Sequence, residues 1–303
     1  MKKILFIVNP ISGGKDKNKL ISYLHSVADN TKYAVDVAVT EYIHHGYDIA
    51  KEALMEGSCD MIVAVGGDGS INDVVNAISR SEITFGILPV GSGNGLARFL
   101  NIPLDFKKAV DLIFNGEEHR IDTLEITSEK HPIPVVAASL VGVGFDALVA
   151  KDLSEQSTRG FQAYSKIVLH DYPNYKPKSY KIYLDSVEIR TKAFFITFCN
   201  SSQFGYNAII APNAVIDDGL MDISTVRKFS FFEVPQFAYL LFTKKILSSE
   251  YVDSIRAKQA VLTGNVDEWV NVDGEAYKMG STLNIKVVPH SLKVIRGARY
   301  DDL

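Results

Sequence analysis

Residues 61–76 read Met-Ile-Val-Ala-Val-Gly-Gly-Asp-Gly-Ser-Ile-Asn-Asp-Val-Val-Asn, and few folds accommodate that order. The first five are apolar, as in a strand buried on both faces. Gly66, Gly67 and Gly69 follow at once, leaving the backbone bare and free to take positive φ. Ser70 is a good N-cap, and Ile71, Val74, Val75 and Ile78 then share one helical face. A strand that turns on glycine into a helix offers free N–H groups and a positive dipole end, which suit phosphate. Asp68 in that turn would repel the anion unless a metal bridges them. It is therefore either a Mg²⁺ handle or a turn residue bonding its own backbone, and its place among glycines at a strand end favours the handle.

The same grammar runs through residues 1–122. Strands are expected at 4–8, 35–39, 61–65 and 85–88. Between and after them come helices marked by Leu20, Ile21, Leu24 and Val27, by Ile49, Ala50, Ala53 and Leu54 up to Gly57, by 71–78, by 96–100, and by 106–114 between Asp105 and Gly116. Such alternation with short connections implies a parallel α/β sheet, whose ligands sit beyond the carboxyl ends of its strands. Three glycine-rich turns fall at such ends, at 12–14, 66–69 and 91–95, and point to a phosphate-rich ligand.

From about residue 123 the pattern turns β-rich. Runs at 123–127, 135–141, 180–184, 193–199, 208–210, 221–226, 260–263, 269–272 and 283–288 are interrupted by helical passages at 161–170 and 231–246. Asp217-Asp218-Gly219 and Asp273-Gly274-Glu275 read as hairpin turns. A nucleotide-binding domain over 1–122, with 291–303 available to complete it, and a β-rich substrate domain over 123–290 are expected to share a tight cleft.

Composition narrows what such a pair can do. Of 303 residues, 47% are hydrophobic and 22% charged, ordinary for a globular protein. A net charge of −4 argues against a general nucleic-acid binder. Cys59 and Cys199 read as buried free thiols in a reducing compartment. The apolar run after Lys2 and Lys3 stops at Asn9-Pro10, too short for a signal sequence. The zone 229–247 is broken by Glu233, Pro235, Gln236, Lys244 and Lys245, so no transmembrane segment is expected and the protein reads as cytoplasmic. His44 and His45 read as solvated rather than metal-binding. No Gly-x-x-x-x-Gly-Lys-Ser/Thr occurs, which excludes a P-loop, and 91–95 lack the dinucleotide spacing.

Phosphoryl transfer to an alcohol needs a phosphate cradle, Mg²⁺ and a carboxylate to take the hydroxyl proton. The first domain offers the cradle and Asp68; Glu275 could offer the base. Six segments in order then carry a resemblance. They are Asn9-Pro10-Ile11-Ser12-Gly13, Gly66-Gly67-Asp68-Gly69-Ser70-Ile71-Asn72-Asp73, and Pro89-Val90-Gly91-Ser92-Gly93-Asn94-Gly95-Leu96-Ala97-Arg98. Later come Gly142-Val143-Gly144-Phe145-Asp146-Ala147 with Arg159, Gly160 and Tyr164 after it, Ala211-Pro212 through Asp217-Asp218-Gly219 to Asp222, and Val272-Asp273-Gly274-Glu275. Together they resemble the diacylglycerol kinase catalytic-domain family, which includes bacterial lipid kinases, sphingosine kinases and ceramide kinases. The glycine–aspartate turn alone is shared with NAD kinases.

The resemblance implies an α/β N-terminal domain with a parallel sheet of the NAD kinase and phosphofructokinase type, followed by a β-rich sandwich domain. It implies an ATP-dependent lipid kinase whose nucleotide site is lined by Asn9, Pro10, Ile11, Ser12, Gly13, Thr40, Gly66, Gly67, Asp68, Gly69, Ser70, Ile71, Asn72 and Ser92. Asp68 would organise Mg²⁺ through water, and Glu275 would be the general base on the lipid hydroxyl, with Asp273 beside it in the catalytic turn. A structural Mg²⁺ would rest on the Asp218 carboxylate and the carbonyls of Val215 and Leu220. Many bacterial members carry Asn-Asp-Phe where this chain has Asn94-Gly95-Leu96, a segment nearer to sphingosine and ceramide kinases. Diacylglycerol, a sphingoid base or a related lipid at a membrane surface therefore stay open as substrates, as does a homodimer.

The aromatics at 229, 231, 232, 237, 239 and 242 read first as core packing. Their second reading is an acyl groove or membrane-touching face with Lys244 and Lys245 at anionic headgroups, and Lys176 and Lys178 could serve similarly. Two rival functions are an NAD kinase-like enzyme with a soluble acceptor and a non-catalytic lipid- or nucleotide-binding regulator. The joint presence of Asp68, Asp218 and Glu275 counts against the second.

Overall fold

Each apolar run of the N-terminal third becomes a strand of one parallel sheet. In the computed structural model, which describes residues 1–14, 17–29, 31–156, 160–184, 187–264 and 269–298, the chain begins β1 (Lys2–Val8), α1 (Lys17–Val27), β2 (Tyr33–Val39), α2 (His45–Glu56), β3 (Met61–Gly66), α3 (Asp68–Ile78), β4 (Thr84–Pro89), α4 (Gly95–Phe99) and α5 (Phe106–Asn115). Arg159 and residues 299–303 lie outside the described residues. Contacts divide the chain into one unit of Met1–Ile121 with His290–Leu303 and another of Asp122–Pro289.

In the first unit the strand order is β2-β1-β3-β4, all parallel. Val8 pairs with both Val39 and Val65, and Gly66 with Pro89. The four strands therefore end level, and the turns after them share one edge. β3 and β4 are buried at every position, which is why their sequence shows no polar alternation. Gly57, at φ 60°, ends α2 by donating to the carbonyls of Ala53 and Leu54, a left-handed glycine cap. The Asp105 carboxylate caps α5 by accepting the Lys108 N–H at 3.0 Å.

β5 (Glu118–Ser128) carries the chain into the second unit. There follow β6 (Val135–Ala137), β7 (Leu140–Gly144), α6 (Phe145–Ser154), α7 (Phe161–Asp171), β8 (Lys178–Leu184), β9 (Val187–Ala193), β10 (Phe195–Cys199), β11 (Met221–Val226), α8 (Val234–Phe242), β12 (Val252–Ala257), β13 (Gln259–Gly264), β14 (Trp269–Val272), β15 (Glu275–Lys278) and β16 (Thr282–Ile295). One antiparallel sheet runs β12-β11-β10-β7-β14-β15. In the other layer β13 pairs with β8 and with residues 282–286 of β16, β8 with β9, and β5 with β6. Leu124, Ile182, Leu262 and Leu283 meet Ile196, Phe198, Ile223 and Val272 in the core of this sandwich. On the other face of β10, Phe195 and Cys199 join Phe145, Ile167 and Phe237 from the helices. A strand covered on both faces has no solvent side to record in its sequence. Beyond His290, β16 returns to the first unit, where Lys293 and Val294 lie parallel to Thr84 and Phe85 of β4.

Several sequence-based boundaries move. The run 135–141 divides into β6 and β7 because the N–H groups of Ala138, Ser139 and Leu140 are turned onto the Asp273 carboxylate. The run 193–199 breaks at Phe194, and Val187–Ala193 forms the unforeseen β9. Residues 208–210 make a single bridge, Gln203 to Ile209, since the N–H groups of Ile209 and Ile210 go to Leu241 and Ser202. The passage 231–246 is broken: a 3-10 turn at Phe231–Glu233 precedes α8, and Lys244 at φ 61° ends the helix. Asp217-Asp218-Gly219 is no hairpin; it closes the long connection between β10 and β11. The runs 283–288 and 291–296 are one strand, β16, continued through Pro289 and His290, whose φ of 50° bends it. Cys199 is buried and Cys59 only partly so.

Phe198 is fully buried between the two layers. Phe198→Ala should cost about 3–5 kcal/mol, read as a lower urea midpoint; an unchanged midpoint would contradict this account of the core.

Candidate active site

Three turns meet at the carboxyl edge of the parallel sheet. The first, after β1, holds Asn9 to Gly13. Asn9 donates through Nδ2 to Ser70 Oγ at 3.2 Å and accepts the Ile11 N–H at 3.1 Å. Gly13 has φ 71°, and a Cβ there would lie 2.1 Å from the Val90 carbonyl oxygen. The second turn, after β3, holds Gly66 to Ser70. The third, after β4, holds Val90 to Gly95, and the N–H groups of Val90 and Gly91 both donate to the Gly66 carbonyl. A Cβ on Gly91 would lie 2.4 Å from Gly67 Cα, so the second and third turns touch backbone to backbone and only glycine allows it. Thr40 stands on the same edge after β2, its N–H on the Val8 carbonyl at 2.9 Å. Ser92 is exposed at the tip of the third turn.

Asp68 fastens this arrangement. Its two carboxylate oxygens accept the N–H groups of Asn94 at 3.0 Å and Gly95 at 2.9 Å. Burial pushes its pKa up, and these two bonds, with a third from its own backbone N–H, oppose the shift. Helix α3 begins at Asp68, with Gly67 as an extended N-cap, so Ser70 lies in the first turn instead of capping it. The Ile71 N–H bonds the Gly67 carbonyl, leaving Asp68, Gly69 and Ser70 as the N–H groups with no acceptor inside the helix. Ile71 and Asn72 are buried, and Asn72 accepts from Asn76 at 3.1 Å. They support the turn from within and contribute no exposed side chain. His44, expected to be solvated, lies 2.8 Å from an oxygen of Asp73 through Nδ1, and His45 Nδ1 accepts the Glu41 N–H.

Whether this corner suits a hydrated cation follows from its acceptors. Three backbone N–H groups, of Asn94, Gly95 and Asp68 itself, take three of the four acceptor positions of the Asp68 carboxylate and leave one, and Asn94 Oδ1 is buried with no partner. Both features match water molecules donated from a Mg²⁺ shell.

In the second unit, Val272 pairs with Glu275 across a two-residue turn in which Asp273 has φ 52° and Gly274 φ 94°, the hairpin type that needs positive φ at both positions. Asp273 is buried, and its carboxylate accepts from Ala138 at 2.7 Å, Ser139 at 2.9 Å and Leu140 at 2.8 Å. These three bonds hold the turn that precedes Glu275. Asn271 supplies a second brace, accepting the Gly274 N–H at 2.8 Å and donating to Asp146 Oδ2 at 2.9 Å. A Cβ on Gly142 would lie 1.6 Å from that same Asp146 oxygen, which explains a glycine there. Burial first, and Asp146 second, raise the pKa of the Tyr164 phenol. Asn271 was missed from sequence, because a lone asparagine in an apolar strand carries no motif.

The turn implied to hold a structural Mg²⁺ is built differently. Asp218 accepts the Leu220 N–H at 3.1 Å with one oxygen and bonds the Arg256 guanidinium with the other. Arg256 Nε also lies 3.3 Å from Asp222 Oδ2, and Asp122 accepts the Gly219 N–H at 2.7 Å. Val215 is exposed. A guanidinium already on the one carboxylate of the implied ligand set does not fit a divalent ion there. Among the described residues no group of three or more His, Cys, Asp or Glu is arranged to hold a metal.

A family model described as the diacylglycerol kinase catalytic domain matches residues 3–126, and one described as the YegS C-terminal NAD kinase beta sandwich-like domain matches residues 139–296. The chain is similar to the diacylglycerol kinase of Bacillus subtilis (strain 168), with 26% identity over 280 residues covering 91% of this chain and 90% of that protein. It is similar to the diacylglycerol kinase of Mycobacterium tuberculosis (strain ATCC 25618 / H37Rv), with 26% identity over 303 residues covering 97% and 95%. The crystal structure of a diacylglycerol kinase from Bacillus anthracis str. Sterne matches with a TM-score of 0.74 over 98% of this chain and 97% of that one, at 19% identity; at that identity the likeness concerns the fold.

Burial pushes the Asp146 carboxyl from its ordinary 3.8 up to about 6, against the Asn271 bond that lowers it. A carboxyl that holds its proton more tightly folded than unfolded stabilises the fold at low pH and loses that contribution as pH rises through its folded pKa. Asp146→Asn keeps the shape and cannot titrate. Its urea stability should lack a component, about 3 kcal/mol, that wild type loses between about pH 4 and pH 6; identical pH profiles would contradict the assignment.

Proposed function

The chain belongs to the diacylglycerol kinase catalytic-domain family, and from that premise we propose that it transfers the γ-phosphoryl group of ATP to a lipid hydroxyl. The observation that carries this reading is the backbone cradle: the second and third glycine turns tied through Asp68 and the first held to them through Asn9 and Gly13, with helical N–H groups opening at their centre. Phosphoryl transfer asks little covalent chemistry of a protein; it asks for positioning and for charge to be met where it develops.

In this reading the turns from Asn9 to Gly13, Gly66 to Ser70 and Val90 to Gly95, with Thr40 and Ser92, bind the nucleotide. The N–H groups of Gly69 and Ser70 orient its phosphates. Asp68 would hold Mg²⁺ through water, and that ion, when bound, would draw charge from the phosphate oxygens. Glu275 accepts the proton of the lipid hydroxyl as the hydroxyl oxygen attacks. Asp273 and Asn271 are positioning residues: they fix the hairpin turn so that the Glu275 carboxylate keeps its aim.

The acceptor is diacylglycerol, a sphingoid base or a related lipid. Contact with a lipid surface has its own support. Phe229 and Phe237 stack in the core at 4.5 Å between ring centroids, whereas Phe231, Phe232, Tyr239 and Phe242 are exposed, as are Lys244 and Lys245 just after them in the sequence, a composition suited to an anionic interface. Among the described residues no helix is long and apolar enough to cross a membrane, so such contact would be peripheral.

Glu275→Gln should lower turnover by about 10²–10⁴-fold while calorimetric ATP affinity stays unchanged. With γ-labelled ATP and extracted lipids, wild type should move label into the organic phase. A normal rate in the variant would remove Glu275 from the role of base, and label confined to water-soluble product would point to a soluble acceptor.

A further inference from the structure

The acidic turn at residues 217–222 carries its own cation. Arg256 sits on β12 directly across from Asp222 on β11, in register. That pairing fixes the base of the side chain, so its guanidinium is delivered to the turn by the sheet. There Nη2 bonds Asp218 Oδ2, and Nε lies 3.3 Å from Asp222 Oδ2. The remaining Asp218 oxygen takes the Leu220 N–H. The Asp222 side chain is 5% exposed and the Asp218 side chain 27%, so two carboxylates are drawn out of water close together and need positive charge beside them.

A guanidinium meets that need well. It is charged at every working pH, planar and multiply donating. A Mg²⁺ ion demands near-ideal octahedral oxygen ligation and gives up its waters reluctantly. It would also have to share the Asp218 carboxylate with a cation already bonded there, at short range where like charges repel. The turn is tied down on its other side without any metal, since Asp122 accepts the Gly219 N–H and donates its own N–H to the Ile216 carbonyl.

We propose that Arg256 is the resident counter-cation of this turn, standing where the resemblance implied a structural divalent ion, so that the second unit keeps its fold without bound metal. The inference concerns stability and does not depend on which acceptor is phosphorylated.

The test is thermal unfolding followed by circular dichroism, without nucleotide, in EDTA and in millimolar Mg²⁺. Wild type should melt at the same temperature in both. Arg256→Gln should melt several degrees lower in EDTA and recover part of the loss in Mg²⁺, because the vacated Asp218 and Asp222 then offer a cation site. Adding Asp218→Asn should abolish that recovery, and Arg256→Lys, which keeps a charge, should stay insensitive to metal. The proposal is overturned if Mg²⁺ raises the wild-type melting temperature and Asp218→Asn alone removes the rise. It is equally overturned if Arg256→Gln melts like wild type in EDTA. Should Arg256→Gln fail to fold, the wild-type, Asp218→Asn and Arg256→Lys arms still decide it.

Discussion

The carboxylate of Asp68 accepting the amides of Asn94 and Gly95 is the interaction on which the candidate site depends. It adds a side-chain tie to the backbone bonds by which Val90 and Gly91 already hold the third glycine turn to Gly66, and without it two N–H groups at the start of α4 lose their acceptor. Leaving such groups buried and unpaired costs about 1–3 kcal/mol each. The same device recurs in the second unit. Asp273 collects three amides and thereby breaks a strand in two, and Asp122 collects the amide of Gly219. In each case a short acid folds the backbone into a corner that no regular strand or helix would make.

These corners bear on chemistry because irregular backbone is where a protein can aim N–H groups and single carboxylates. The glycines make close approach tolerable, the acids make it permanent, and the result is preorganised before any ligand arrives. The hairpin bearing Glu275 follows the same logic with different parts. Asn271 links its turn to Asp146, and Gly142 is small because the Asp146 oxygen fills the space a side chain would need.

Much of the first unit was legible in the sequence. Gly57, Asp105 and Gly116 marked helix ends through local chemistry, and Met61 to Val65 declared a strand covered on both faces. The glycine turn from Gly66 to Ser70 between strand and helix was legible, though the helix starts two residues earlier than a serine cap suggests, because glycine in extended conformation caps as well. What stayed hidden depends on partners distant in sequence. Nothing near residues 138–139 foretells the break caused by Asp273, 134 or more positions away. Arg256 looks like one more surface charge until the pairing of β11 with β12 sets it beside Asp222. The short β12 and β15 and helix α6 escaped because their polar or glycine-rich surroundings carry no clear periodicity.

The account rests most heavily on the claim that the corner fastened by Asp68 is a phosphate cradle. A crystal structure with a non-hydrolysable ATP analogue and Mg²⁺ examines that directly. The account predicts the triphosphate oxygens accepting hydrogen bonds from the backbone between Gly67 and Ser70, with the metal's water shell on Asp68. A nucleotide bound with its phosphates elsewhere, and that turn left facing solvent, would contradict it.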